Sequence, residues 1–326
     1  MGESVDALMR DYQGDVPGAS VLVIENGKSV VSRSYGYADL EKRIAASPRT
    51  NYRLASVSKQ FTAASILLLA QDGKLGLDDP VRKWLPSLPA SADAITLKHL
   101  LTHTSGLIDY EEVMAQDATE NEQVHDADVL RLLETQGRTY FAPGSGYRYS
   151  NGGYALLALI VEKASGKRYA AFLHDRVFEP LGMKRTVAYE KGVSEVADRA
   201  YGYSLIDGRW QRADQSSTSA VLGDGGIYSS IDDLTKWDAA QYDDRLLDAP
   251  SRKLAATPWT KTDDPAVEYG YGWRVTGETL WHSGETIGFR NVIVRYPQRK
   301  LTVVVLTNRD DPEPYKKALQ IARLFL

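Results

Sequence analysis

The feature that most constrains the fold is a pair of β-forming segments at opposite ends of the 326-residue chain. Residues 19–38 contain two β-branched runs separated by Asn26-Gly27, a dipeptide that accepts the positive φ angles of a tight hairpin turn. Residues 289–308 repeat the pattern, with residues 297–300 as the turn. Because an isolated hairpin is only marginally stable in water, we expect both ends to join in one antiparallel sheet.

The sequence between these ends is mostly helical in pattern. Segments such as "DADVLRLLETQG" and "SNGGYALLALIVEKASGK" place apolar residues at helical spacing and end near glycine. We therefore expect an α/β (α+β) fold, with an antiparallel sheet built from both chain termini and flanked by helices. Residues 1–72 and 220–326 would form the sheet domain, residues 73–219 a mostly helical inserted domain, and the cleft between them the active site.

Composition excludes several classes of partner. The 39 basic and 43 acidic residues give a formal net charge of −4 and no basic cluster, so no nucleic-acid partner is expected. The apolar runs fall short of the ~20 residues that span a bilayer, and without cysteine there are no disulfides or thiolate sites. We expect no metal or other cofactor, because the histidines lack ligand spacing and the glycines at 223–226 lack the Lys-Ser/Thr of a phosphate loop.

A polar group opens the otherwise apolar segment "LASVSKQFTAASILLLAQDGK", residues 54–74. Ser56 and Lys59 are three residues apart, so their side chains can meet on one face of a helix that begins near residue 56. A serine at a helix N-terminus also lies beside unpaired backbone N–H groups, which favour an alkoxide or oxyanion. The alternative is that Ser56 is only an N-cap and Lys59 a solvated residue, and this motif alone does not decide between them.

Two further motifs follow along the chain. Tyr149 and Asn151 lie two residues apart before a predicted helix, and His282-Ser283-Gly284 precedes a predicted strand. In this order the motifs resemble the serine β-lactamase and penicillin-binding protein family, which carries Ser-x-x-Lys, then Tyr-x-Asn, then a Lys/His-Thr/Ser-Gly triplet. "LLTHTSGL" and "GDGGIYSSIDDLTKW" are similar to segments of the branch containing class C β-lactamases, D-alanyl-D-alanine carboxypeptidases and related esterases. The resemblance covers roughly residues 17–325 and implies a β-lactamase/transpeptidase-like fold.

The resemblance implies a role for each motif residue. Ser56 would be the nucleophile, forming an acyl-enzyme that water later hydrolyses. Its proton would pass to Lys59 as an amine or to Tyr149 as a phenolate beside the Lys59 cation; the sequence does not assign it, although the resemblance favours Tyr149. Asn151 would orient Lys59 and the substrate amide. Backbone N–H groups of Ser56 and Glu285 would hold the oxyanion, and the triplet before Glu285 would bind substrate.

Each residue taken alone has a plainer structural interpretation. Tyr149 is one of 19 tyrosines, any of which can be a packed aromatic residue. Asn151 could be the N-cap of the helix that follows, and His282 could be a strand-end residue. For His103, in "LTHTSGL", and for Ser230, which precedes a predicted helix, the structural interpretation is preferred. The catalytic interpretation therefore depends on the ordered combination of motifs.

Specificity is expected to differ from that of class C β-lactamases. Most of those enzymes carry a lysine where this chain has His282, and a largely neutral imidazole would bind a substrate carboxylate less well or leave that task to another cation. We therefore expect a serine hydrolase that cleaves an ester or amide, such as a D-amino-acid peptide or a small carboxylic ester, with weak β-lactam hydrolysis. The aromatic residues expected to line the pocket are Tyr110, Tyr147, Tyr228, Trp281 and Phe289.

Two alternatives to this function stay open at the level of sequence. One is a penicillin-binding sensor that is acylated without turnover, and the other is a class C-like β-lactamase. The substrate would be a small molecule or a short peptide, and the sequence does not give the oligomeric state. The first residues lack the basic and apolar regions of a signal peptide, but the resemblance suggests a periplasmic or secreted protein, with the cytoplasm as the alternative.

Overall fold

Short strands and helices alternate along the chain in the computed structural model, which describes residues 2–114 and 121–326. Strands β1 to β15 cover, in order, Ala19–Glu25, Lys28–Tyr35, Tyr37–Asp39, Ile44–Ala45, Tyr52–Arg53, Val187–Ala188, Tyr203–Ile206, Arg209–Arg212, Ile227–Ser229, Thr260–Lys261, Glu268–Tyr269, Arg274–Thr276, Thr279–Thr286, Phe289–Tyr296 and Leu301–Thr307. Helices α1 to α13 cover Gly2–Leu8, Lys59–Gln71, Val81–Trp84, Leu97–Leu101, Tyr110–Val113, Asp126–Glu134, Asn151–Ser165, Tyr169–Leu173, Glu179–Leu181, Leu222–Gly225, Ile231–Ala239, Ala249–Ala256 and Tyr315–Ala322. Short 3-10 helices include Ala55–Ser58 and Pro297–Arg299.

The largest sheet within the described residues has eight antiparallel strands in the order β10-β11-β12-β13-β14-β15-β1-β2. The N-terminal strand β1 lies between its hairpin partner β2 and the C-terminal strand β15, with Val21 opposite Val305. Asn26 and Gly27 form the hairpin turn with φ angles of 51° and 76°. The predicted antiparallel sheet from both chain ends is therefore confirmed.

Helices cover both faces of this sheet, which explains why β1 is buried along nearly its whole length. Val21 and Val23 belong to a cluster that includes side chains from α1 and α13. Leu22 and Ile24 point the other way, into a larger cluster that contains α2, α7 and α11. Helix α2 is surrounded by this second cluster, since its residues from 59 to 69 are buried on every side. The first turn of α2 is thereby held rigidly at the centre of the molecule.

The middle of the chain is mostly helical, with α3 to α9 between residues 73 and 219. It also contains β6, which pairs with β9 from the C-terminal part of the chain, and the β7–β8 hairpin. The larger hydrophobic cluster includes side chains from both parts. The division into 1–72 with 220–326 and 73–219 therefore stays a prediction. No helix in the described part of the chain combines the length and apolar character needed to cross a bilayer.

Candidate active site

Ser56 lies in the 3-10 helix Ala55–Ser58, immediately before α2 begins at Lys59. The helix therefore begins near residue 56 as predicted, but its first turn is a 3-10 helix and the α-helix follows from Lys59. The chain enters this turn through Ala55, whose φ of 49° is unusual for a residue with a side chain. In a 3-10 turn, residues i and i+3 also lie on one side, so the Lys59 Nζ still reaches the Ser56 Oγ at 3.1 Å.

The Lys59 ammonium is buried and has three oxygen partners. Besides Ser56, its Nζ lies 2.8 Å from the Asn151 Oδ1 and 3.0 Å from the backbone oxygen of Asp224. These three acceptors match the three N–H groups of a protonated lysine, which satisfies the charge inside the protein. Helices α2, α7 and α10 each supply one part of this arrangement, so Lys59 fixes the position of Ser56 relative to the rest of the site.

Tyr149 packs directly against this ammonium, although it is distant from Lys59 in sequence. The centre of its ring lies 4.8 Å from the Lys59 Nζ, 5.4 Å from the Arg274 Cζ and 4.3 Å from the centre of the His103 ring. The structure thus brings together the hydroxyl of Ser56, the amine of Lys59 and the phenol of Tyr149. Two cations, Lys59 and Arg274, therefore lie against the ring of Tyr149.

Asn151 is the first residue of α7, but Ser150 rather than Asn151 caps that helix. The Ser150 Oγ accepts a hydrogen bond from the Gly153 N–H at 2.9 Å. The amide of Asn151 is therefore available for the site: its oxygen accepts from Lys59, and its Nδ2 donates to the Glu111 Oε1 at 3.2 Å. The helix-cap interpretation of Asn151 is wrong, and the residue instead joins α2 to α5.

The triplet His282-Ser283-Gly284 lies within β13, beside the turn that carries Ser56. A side chain at Gly284 would put its Cβ only 2.1 Å from the Leu54 backbone oxygen, so glycine is required for this close approach. The strand then continues to Glu285, whose side chain is 68% exposed and pairs with Arg290 at 3.2 Å. The backbone of residue 285 is thereby brought next to the Ser56 turn.

His282 is a buried part of the wall and does not face the open cleft. Its ring is 1% exposed, with Nδ1 2.7 Å from the Ser283 oxygen and Nε2 2.9 Å from the Tyr269 Oη. Since a carbonyl only accepts, Nδ1 carries the proton and Nε2 accepts from Tyr269. Burial, together with the charges of Arg274 and Lys59, holds the pKa of His282 well below its usual value. The imidazole is therefore neutral at pH 7, and both of its nitrogen atoms already have partners within the protein.

His103 has the structural role expected from its sequence context. Its Nδ1 accepts a hydrogen bond from the Ser150 N–H at 3.0 Å, and its φ of 60° makes the tight turn after α4. Burial and the nearby Lys59 charge keep the pKa of this imidazole well below its usual value.

The expected helix cap at Ser230 is also confirmed, because the Ser230 Oγ accepts a hydrogen bond from the Asp233 N–H at 3.2 Å. In residues 2–114 and 121–326, no cluster of three or more His, Asp or Glu side chains could hold a metal ion.

The open cleft beside Ser56 has a volume of about 370 Å³. Most of its lining is polar, and the lining residues are Arg53, Ala55, Ser56, Glu111, Asn151, Ser216, Thr218, Asp224, Gly225, Glu285, Thr286 and Ile287. The five aromatic residues expected to line the pocket are not among them. Trp281 shows why: it precedes His282 on β13 and so points to the opposite face of the sheet, where it stacks on Tyr315 with ring centres 4.1 Å apart.

Several residues that contribute to the site were missed from the sequence, and four of them surround the buried charges. They are Arg53, Asp224, Tyr269 and Arg274, which come from β5, α10, β11 and β12. Asp224 is 9% exposed, and burial raises the pKa of its carboxyl to about 7 although the Lys59 charge lowers it. A signal was available only for Asp224, which lies in the family-like segment "GDGGIYSSIDDLTKW", because the other three belong to no motif.

The comparisons with known proteins agree with this geometry. A family model described as Beta-lactamase matches residues 5–325. The chain belongs to the Beta-lactamase family. It is 33% identical over 317 residues to penicillin-binding protein 4* of Bacillus subtilis. This alignment covers 92% of the present chain and 70% of that protein. It is 32% identical over 328 residues to protein flp of Staphylococcus aureus, covering 94% of this chain but 63%, less than two thirds, of flp.

Solved structures place the fold in the same group. A penicillin-binding protein homologue from Pyrococcus abyssi, described as octameric, is 29% identical with a TM-score of 0.85, covering 99% of this chain and 76% of that one. A D-amino acid amidase from Ochrobactrum anthropi is 23% identical with a TM-score of 0.84, covering 100% and 99% of the two chains, and is similar in fold. The family membership predicted from the three motifs is thus confirmed.

Proposed function

We propose that the protein is a serine hydrolase that forms an acyl-enzyme on Ser56 and cleaves an ester or amide in a small molecule or short peptide. The observation that carries this proposal is the 3.1 Å contact between the Lys59 Nζ and the Ser56 Oγ at the edge of the cleft. The ring of Tyr149 against the same ammonium adds a proton acceptor. Membership of the Beta-lactamase family supports the same chemistry.

Ser56, Lys59 and Tyr149 have different roles in the proposed reaction. The Ser56 Oγ attacks the carbonyl carbon of the substrate, and its proton passes to the phenolate of Tyr149. Lys59 is already committed to three acceptors and so acts as the cation that favours this phenolate rather than as the base. Tyr149 then returns the proton to the leaving group as the carbon–heteroatom bond breaks. In deacylation Tyr149 takes a proton from water as the water oxygen attacks the acyl carbon, and it returns that proton to the Ser56 Oγ as the carbon–Oγ bond breaks.

The oxyanion of each tetrahedral intermediate would be held by the backbone N–H groups of Ser56 and Glu285. The close approach of Gly284 to Leu54 supports this assignment, because it brings the end of β13 to the Ser56 turn. Removing one such donor typically lowers the rate about 10²- to 10³-fold in hydrolases of this general type. Asn151, which contacts Lys59, would orient the substrate amide beside these donors.

The substrate class follows from what the triplet lacks. A lysine in place of His282 would offer a permanent positive charge, whereas the neutral, buried imidazole offers none. We therefore propose D-amino-acid amides, short D-peptides or small carboxylic esters as substrates, with weak hydrolysis of β-lactams. Relatives named as penicillin-binding proteins and a structural neighbour named as a D-amino acid amidase support this range.

The test combines turnover with trapping of the acyl-enzyme. The protein is assayed with p-nitrophenyl esters and D-amino-acid p-nitroanilides, and its intact mass is measured after incubation with a fluorescent penicillin. Ser56→Ala should lower kcat by at least about 10³-fold and abolish the label. Ser65→Ala is the matched control, because this buried hydroxyl of α2 bonds only to the Phe61 oxygen among the contacts described.

Three results would contradict the proposal. A label that persists in Ser56→Ala would place the nucleophile elsewhere. Stable labelling of the unaltered protein with no turnover of any ester or anilide would instead support the penicillin-binding sensor. Hydrolysis of cephalosporins that is faster than that of every ester and amide would support a class C-like β-lactamase.

A further inference from the structure

Arg53 is a buried cation in the wall of the proposed active-site cleft. It ends β5, three residues before Ser56, is 3% exposed and contributes to the cleft lining. Its backbone is fixed, because its carbonyl oxygen accepts from the Asn291 Nδ2 at 2.6 Å. Its Nη2 donates to the Ser219 oxygen at 2.6 Å, which ties the guanidinium to the loop that forms one side of the cleft.

Most of the hydrogen-bonding capacity of Arg53 is unused. Its Nε and Nη1 are buried and have no hydrogen-bond partner among the residues that the structure describes. The charge of Arg53 does act on two neighbours, since it lowers the pKa values of Asp224 and Tyr228 against the larger effect of burial. Arg295, which is similarly buried, has a carboxylate partner, with its Nε 3.2 Å from an oxygen of Asp238. A buried guanidinium without such an acceptor is costly to maintain, since both its charge and its N–H groups have left water. A bound acceptor would remove this cost.

The location of Arg53 indicates which part of a substrate would supply that acceptor. Tyr149 protonates the leaving group in the proposed reaction, and it packs among Lys59, His103 and Arg274. The described residues that line the cleft include Arg53 but not Tyr149. The acyl group, which stays on Ser56 while the leaving group departs past Tyr149, would therefore occupy the Arg53 side of the nucleophile.

We propose that Arg53 selects substrates whose acyl group carries a carboxylate, with its free N–H groups as the donors. The proposal rests on the acyl-enzyme function of Ser56. A guanidinium suits this task because its charge is permanent and its planar N–H fork matches the geometry of a carboxylate. The hydroxyls of Ser216, Thr218 and Thr286, which also line this cleft, offer further hydrogen bonds to the same group.

A preference for acyl groups that carry a positive charge also has a basis in this cleft, and it is the competing outcome of the test. Glu111, Asp224 and Glu285 also line it, and carboxylates would favour an acyl group that carries an ammonium. Glu285, however, is paired with Arg290, and Glu111 contacts the Asn151 amide. Burial raises the pKa of the third carboxyl, Asp224, to about 7, so that it carries only part of a negative charge at neutral pH. Nε and Nη1 of Arg53, by contrast, have no hydrogen-bond partner among the described residues.

The experiment compares three p-nitrophenyl esters of similar length that differ in the charge at the end of the acyl chain. They are p-nitrophenyl hydrogen adipate, p-nitrophenyl methyl adipate and p-nitrophenyl 6-aminohexanoate. We expect kcat/KM for the hydrogen adipate to exceed that for the methyl adipate by about tenfold or more, as for a charge-assisted hydrogen bond withdrawn from water. Ser56→Ala gives the background rate of each ester.

Arg53→Gln should reduce this ratio to about one while leaving the methyl adipate reaction within a few-fold, and Arg53→Lys should retain part of the preference. The ratio of two substrates on one variant does not depend on how much of the protein is folded, so partial unfolding cannot mimic the result. Arg199→Gln is the matched control. Arg199 is also largely buried, bonding to Asp214 at 2.6 Å and to the Tyr228 Oη at 3.3 Å, but it lies outside the cleft lining. Its loss should leave the ratio unchanged.

Failures of the two proposals are distinguishable in this assay. If none of the three esters is hydrolysed above the Ser56→Ala background, the hydrolase function fails and this inference fails with it. If the esters are hydrolysed without a preference for the anion, or with a preference for 6-aminohexanoate, only the role of Arg53 is refuted. A preference for the hydrogen adipate that survives in Arg53→Gln would also refute it.

Discussion

Replacing Asp224 by asparagine tests whether a buried carboxyl in the cleft wall makes the fold less stable as the pH rises. Burial raises the pKa of this carboxyl from 3.8 to about 7, although the charge of Lys59 opposes the change. In the unfolded chain the carboxyl ionises near its usual value. Between about pH 4 and pH 7 the folded protein therefore holds a proton that the unfolded chain has released.

The sign and size of the effect follow from this difference. Below pH 3.8 the carboxyl is protonated in both the folded and the unfolded chain and does not affect stability. As the pH rises from 3.8 toward 7, the unfolded chain releases the proton first, so the free energy of unfolding falls. At 1.36 kcal/mol per pH unit, the full loss is about 4 kcal/mol, of which about 3 kcal/mol falls between pH 5 and pH 8. Asparagine cannot ionise, so Asp224→Asn should gain about 3 kcal/mol relative to the unaltered protein over that range.

The measurement is urea unfolding of both proteins at pH 5, 6, 7 and 8 at constant ionic strength. Asp126→Asn provides the comparison, because burial raises the pKa of Asp126 to about 6 while its oxygens accept the N–H groups of Leu222 and Gly223 at 2.8 and 2.9 Å. That variant loses one acceptor at every pH, and because the pKa of Asp126 is raised only to about 6, its stability relative to the unaltered protein should rise by only about 1 kcal/mol between pH 5 and pH 8. If the free energies of unfolding of Asp224→Asn and the unaltered protein differ by the same amount at pH 5 and pH 8, the reasoning about Asp224 is refuted.

Three further substitutions test the packing of the site by chemical unfolding. Gly284→Ala would place a Cβ 2.1 Å from the Leu54 backbone oxygen, which cannot rotate away, so we expect a loss of at least about 3 kcal/mol; a loss below about 1 kcal/mol would mean that β13 approaches less closely. Tyr269→Phe removes the O–H that His282 accepts at 2.9 Å and should lose about 1 to 2 kcal/mol, whereas an unchanged stability would argue against this bond. Ser150→Ala removes the cap of α7 and should lose about 1 kcal/mol, and threonine at this position should restore most of it.

The parts of the fold that could be predicted from the sequence depend on local rules. The Asn26-Gly27 turn and the flanking β-branched runs predicted the β1–β2 hairpin because turn geometry and strand pattern are set by neighbouring residues. The spacing of Ser56 and Lys59 likewise predicted their contact, since three residues make about one turn in either kind of helix. What the spacing did not reveal was the 3-10 turn itself, which follows from the positive φ of Ala55.

The remaining parts of the site depend on contacts between distant segments. His282 was identified by its motif, but its neutral state depends on its burial and on the charges of Arg274 and Lys59, which come from other segments of the chain. Arg53 is close to Ser56 in sequence, yet its unpaired N–H groups become apparent only when the loop containing Ser219 is in place. Sequence motifs report which residues carry out the chemistry, while the surroundings that set their charge depend on the whole fold.

The strand order of the sheet has a consequence for biosynthesis. Residues 19–25 leave the ribosome long before one of their two partners, residues 301–307, is synthesised. Until then the nascent chain carries an apolar strand with an unpaired edge, and the late pairing links sites that are almost a full chain apart. Such non-local contacts slow folding and leave exposed edges open to aggregation. Versions shortened before residue 301 should therefore accumulate as insoluble material.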